Sequence, residues 1–147
     1  GPALDVDANN VVHSTWFNDA SNEEQDSNYV LFYGNSVNNF KAMGFGQADK
    51  QSAHPYVLSI DQDSLNQTVF LVWKEFDGKK MDILMKVSKD SGISWSKNKV
   101  VSTTAGSSDH PLLVKDSERV YLSWHTQDEG YRLISLISQS SNKITED

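Results

Sequence analysis

The sequence predicts an all-β chain of three repeated four-stranded antiparallel units, the blades of a β-propeller, and three observations carry that prediction. Three segments share one plan, with an early Pro, an apolar-polar alternation, a polar turn and V-x-x-x-W: Pro2 to Trp16, Pro55 to Trp73 and Pro111 to Trp124. Their tryptophans fall 57 and 51 residues apart, and periods of about 40 to 50 residues belong to propeller blades more often than to other repeats. A second β-rich run follows each Trp, NYVLFY from Asn28, DILMKVS from Asp82 and YRLISLIS from Tyr131, and each leads into a polar turn.

Taken in order, the first unit is expected to place strands at 3–7, 11–17, 28–34 and 40–46. The second places them at 55–61, 68–75, 81–88 and 97–102. The third places them at 111–115, 119–125 and 131–138, with a short twelfth strand near 143–147. Period-2 alternation supports these assignments, since Val69, Leu71 and Trp73 share one face while Phe70 and Val72 take the other. No segment reads as a helix longer than a turn. The chain is thus one domain, residues 1–147, of three blade repeats at approximately 3–46, 53–102 and 109–147.

The turn after the second unit's third strand reads SKDSGISW and matches S-x-D-x-G-x-[ST]-W at Ser88, Asp90, Gly92, Ser94 and Trp95. Asp and Ser side chains bond nearby backbone N–H groups, Gly takes the positive φ of a tight reversal, and Trp closes the turn onto apolar neighbours. These five residues are expected to be a structural staple. The same turn has decayed elsewhere. GNSVNNF sets Ser36 and Asn38 at the Asp90 and Gly92 positions, and SQSSNKI sets Ser140 and Asn142 there; Asn tolerates positive φ, so both turns can survive.

The SKDSGISW stretch resembles the Asp-box, or bacterial neuraminidase repeat, of the sialidase-like β-propeller superfamily. That resemblance implies a propeller and places the box between the third and fourth strands of a blade, away from the active site. Sialidases clamp a substrate carboxylate with three arginines and use a Tyr nucleophile paired with Glu and an Asp acid. This chain has two arginines, Arg119 and Arg132, so it holds no complete triad, and Lys does not replace Arg in bidentate carboxylate binding.

Composition bounds the rest. The 147 residues, 37% hydrophobic and 10% aromatic, can bury a real core. A net charge of −7 with no Lys/Arg cluster argues against a nucleic-acid partner. Without cysteine there is no disulfide framework and no thiolate zinc site. No apolar run approaches a membrane span, so no membrane association is expected. Gly1-Pro2 resembles a protease-cleavage scar, so the expectation is a removed leader or a start inside a longer protein. Secretion from a bacterium is the favoured localisation.

Several residues are candidates for chemistry. His54 and His110 each precede a strand-opening Pro and read as structural caps, while His13 and His125 read as half-exposed strand residues. Asp5 to Asn9 begins like a calcium loop but fails at Asn10 and Trp16, and Asp61-Gln62-Asp63 is a similar fragment. Both read as polar turns, and no metal or cofactor is expected. Trp16, Trp73 and Trp124 read as packing between blades. Phe17, Phe45, Phe76 and Tyr131 lie outside the repeat plan and are the better aromatic candidates for ligand contact, and Phe17, Phe76, Tyr131 and Arg132 are the expected ligand contacts. The loop 18–27, NDASNEEQDS, is a solvated connection or a specificity loop. Asn66-Gln67-Thr68 is a glycosylation sequon.

Three blades do not close a ring, since propellers have about four to eight. The open flanks are expected to meet a partner: the rest of a longer propeller, or a second copy giving six blades, as short lectin chains close theirs. The leading functional expectation is a non-catalytic module binding glycan or protein and oligomerising through its flanks. The alternatives are a fragment or subunit of a sialidase-like glycoside hydrolase and a purely structural propeller segment.

Overall fold

The computed structural model describes residues 2–17, 30–45, 51–61, 66–117 and 119–138. Within them eleven strands form three antiparallel sheets that follow chain order. The first sheet holds β1 (Ala3–Val6), β2 (Val12–Phe17), β3 (Leu31–Asn35) and β4 (Met43–Gly44). The second holds β5 (Gln51–Asp61), β6 (Gln67–Phe76), β7 (Met81–Ser88) and β8 (Lys99–Thr104). The third holds β9 (Leu112–Lys115), β10 (Arg119–Thr126) and β11 (Gly130–Ser138). The expected twelfth strand, the turn at Ser140 and Asn142, and the 18–27 loop lie outside the described residues. No helix among the described residues is long and apolar enough to cross a membrane.

Consecutive hairpins order each sheet, and the sheets pack face to face. β6 is buried along TVFLVW, and its alternation divides that run between two cores. Val69, Leu71 and Trp73 face the preceding sheet and meet Leu31, Tyr33 and Phe45. Phe70 and Val72 face the following sheet and join Leu113, Val120, Leu122 and Trp124. Each sheet therefore has a backward face, toward the sheet before it in the chain, and a forward face. Trp73 and Trp124 fill the same place on successive backward faces. Trp16, expected between blades, instead stacks on Phe32 on the backward face of the first sheet, which has no sheet before it among the described residues.

Three boundaries differ from expectation for local reasons. β4 begins only at Met43, because Asn39 and Phe40 both take positive φ (60° and 62°) to finish the turn, which contains a short 3-10 segment (Ser36–Asn38). The left-handed positions are thus Asn39 and Phe40, not Asn38. β5 starts at Gln51 rather than 55, running through Pro55 by means of a bulge between Ala53 and Tyr56. Proline lacks an N–H and is accommodated at such a bulge. β8 begins at Lys99, two residues after its expected start and past the turn that Ser96 ties back to β7: the Ser96 N–H donates to Val87 O at 2.9 Å.

The turn at 88–95 clasps the first sheet to the second. Ser88 Oγ accepts from Gly92 N at 2.8 Å and donates to Asp90, whose carboxylate also accepts from Ser94 N at 2.8 Å. Trp95 Nε1 donates to Gly92 O, and its ring meets Tyr33 and Phe45 edge-on at centroid distances of 4.8 and 5.3 Å. Burial pushes the Asp90 carboxyl upward, but bonds from Ser94, Ser88 and Ile93 outweigh it and hold the carboxyl below its ordinary value.

Gly92 has φ 94°, and a Cβ there would stand 1.9 Å from the Tyr33 hydroxyl; Gly78 has φ 97° with nothing within 4 Å. Gly78→Ala should therefore cost only the backbone term, about 1 kcal/mol, and Gly92→Ala about 2–4 kcal/mol in urea unfolding. Equal losses would sink the clasp. Because the Asp90 carboxyl is depressed in the fold, its stabilisation is complete above its unfolded value and fades as the pH falls below about 4. Asp90→Asn should flatten that acid limb of the stability curve.

Candidate functional site at the first-strand junction

β1, β5 and β9, the first strands of the three sheets, converge, with β1 and β9 both touching β5. A polar link ties them. Asp5 Oδ2 accepts from Ser59 N and Oγ at 2.7 and 2.9 Å, and Lys115 Nζ donates to Ser59 O at 2.9 Å. A first-sheet carboxylate and a third-sheet ammonium thus hold one residue of the second.

At the other end of β5 the chain brings its two His-Pro histidines together. The bulge leaves His54 left-handed at φ 53°, and the β8–β9 connection delivers His110. Their rings stack with centroids 3.4 Å apart and planes 15° from parallel. Parallel imidazoles in such contact do not aim two lone pairs at one ion, and no group of three or more metal-ligating side chains occurs among the described residues.

Beside the stack, buried Lys74 donates from Nζ to Ser108 O at 3.1 Å. Burial lowers its pKa, and Asp109 works against that shift. His54 and Lys74 line a cleft of about 260 Å³ with Gln51, Ala53, Phe76 and Met81. His110 lines a second, of about 320 Å³, with Asp109 and Leu112. The first cleft offers an aromatic ring, a thioether, an amide and a cation, the mixture that orients a small polar ligand.

A second polar cluster is closed to solvent. His13, expected to be half-exposed, is fully buried. Its Nε2 donates to Asp7 Oδ2 at 2.7 Å, and its Nδ1 meets the Tyr33 hydroxyl at 2.7 Å, which accepts from Asn35 Nδ2 at 3.1 Å. The neutral imidazole with its proton on Nε2 satisfies every member. Burial pushes the Tyr33 phenol up to about 12, with Asp7 and Asp90 adding to the shift, so it is a poor nucleophile. Asp7 Oδ1 accepts from Asn9 N and Val11 N, and Asp61 accepts from Gln67 Nε2. Both calcium-like fragments are therefore engaged by the protein itself, although Gln62 and Asp63 lie outside the described residues.

The expected ligand contacts do not form one site. Phe76 lines the cleft, whereas Phe17 is exposed at the end of β2. On β11, Tyr131 points to the forward face, and Arg132 points backward to donate from Nη1 to Ser102 Oγ at 3.0 Å. Phe45 is buried against Tyr33 and Trp95 and packs the core. His125 is exposed and Asn66 stands immediately before β6. Lys74 was missed, although a lysine directly after V-F-L-V-W signals a charge at the edge of a core.

Desolvation first, then His110 and Lys74, lower the His54 pKa from its ordinary value. The contribution of neutral His54 is thus complete above pH about 6.5 and is lost as the pH falls through its lower folded value. In an NMR titration the His54 midpoint should lie below 6.5 and rise toward it in His110→Asn; an unmoved midpoint would refute the coupling.

Compared with family models, with curated proteins and with solved structures, the chain matches none.

Proposed function

We propose that the three sheets are consecutive blades of a β-propeller and that the chain is a non-catalytic binding module, with a glycan as the ligand of the Phe76 cleft. The observation that carries the reading is the convergence of β1, β5 and β9, with the cleft at the Gln51 end of β5. Face-to-face sheets whose first strands meet are the arrangement of blades around an axis. The hydrogen-bonded geometry of Ser88, Asp90, Gly92, Ser94 and Trp95 supports the likeness to Asp-box propellers.

A sugar needs an apolar face to lie on and directional groups for its hydroxyls. Phe76 supplies the first, and Gln51, His54 and Lys74 the second. Two features favour binding over hydrolysis. Arg119 and Arg132 pair with Ser138 and Trp124, at opposite ends of the β10–β11 ladder, so they do not converge on one carboxylate. The phenol of Tyr33 is buried and hard to ionise.

On a glycan array the chain should give a defined set of signals that Phe76→Ala reduces at least about tenfold, the scale of one lost aromatic contact. The same protein should release no fluorophore from fluorogenic sialosides. Turnover would overturn the non-catalytic reading, and a blank array would turn the search to protein ligands.

A further inference from the structure

Positions equivalent by repeat have very different exposures at the two outer sheets. On the backward faces, Leu4 corresponds to Val57 and Leu113, each standing two residues after the unit's Pro. Val57 and Leu113 are 1% and 2% exposed, while Leu4 is 62% exposed. On the forward faces the ladder registers equate Tyr131 with Leu31 and Ile83, and Leu133 with Tyr33 and Met85. The four inner counterparts are at most 6% exposed, whereas Tyr131 and Leu133 are 62% and 52% exposed. Among the described residues, the end faces keep the residue types of internal interfaces without their cover.

The faces are also of two kinds. At both internal junctions the V-x-x-x-W face of one sheet meets the forward face of the sheet before it. Among the described residues no V-x-x-x-W face meets another of its kind. The uncovered backward face of the first sheet, with Leu4, Val6 and Trp16, therefore has its natural complement in the forward face of the third, with Leu112, Val114 and Leu133. None of these six carries a charge.

Resting on the blade reading above, we propose that the occupant of each end face is a second copy of this chain, paired head to tail. The forward face of each third sheet covers the backward face of the partner's first sheet, and two chains close through two such junctions. Each junction is heterologous, and the pair closes because the same contact is made twice about one axis.

Light scattering behind a sizing column should give twice the chain mass. Leu4→Asp and Leu133→Asp each place a carboxylate in both junctions of a homodimer, so each alone should run at the chain mass, with dissociation raised at least about tenfold. Mixing the two variants should restore a dimer, because one junction of the mixed pair is then wild type on both sides. Val6→Asp with Tyr131→Asp repeats the experiment should either first variant fail to fold by circular dichroism. Three outcomes would overturn the proposal: a wild-type monomer at every concentration, a Leu133→Asp dimer as strong as wild type, or a mixture that stays monomeric. A monomer whose glycan signal still falls in Phe76→Ala overturns the second copy and leaves the binding reading standing.

Discussion

The fold rests on the burial of β6 on both faces. A strand with one wet face can be stabilised by a single core, but Val69, Leu71 and Trp73 need one neighbour and Phe70 and Val72 need another. Burying five such side chains contributes on the order of 10 kcal/mol at about 1.5–3 kcal/mol each, an upper figure because the unfolded chain already hides some of that surface. The second sheet therefore depends on a sheet at either side. The first and third sheets are held in turn by what they cover.

Apolar faces do not by themselves fix how one sheet sits on the next, since the hydrophobic effect is non-directional. The polar links supply direction. Asp5 and Lys115 grip Ser59 at the first strands, and Tyr33 abuts Gly92 while its hydroxyl holds His13. Arg132 reaches Ser102 nearer the third strands. These contacts lie at different distances from the junction, so sliding or rotating one sheet over another breaks at least one of them.

Much of this was legible in the sequence where the signal was local. Strand positions followed from alternation, and the staple followed from five residues whose bonds close within eight positions. The parity of Val69, Leu71 and Trp73 against Phe70 and Val72 also held, because a pleated strand leaves no other choice. What was not legible depended on residues far apart. His13 looked like an ordinary strand histidine, and only the packing of the next sheet reveals that its face is buried. The His54–His110 stack joins residues from two units and needs a bulge that no local pattern announces. The four expected ligand contacts are also spread over different sheets and faces: Tyr131 and Arg132 are sequence neighbours, and neighbours on a strand point to opposite sides. Phe45 was misjudged because the clasp that covers it comes from the second unit.

The repeat has a consequence for how such a chain can change over generations. Since every internal junction joins a V-x-x-x-W face to a forward face, duplication or loss of one whole unit leaves a chain that still begins with the first kind of face and ends with the second. Gain or loss of half a unit does not. Recombination between repeats is therefore tolerated at one phase of the sequence, and unit number can drift while the chemistry of both ends is inherited unchanged.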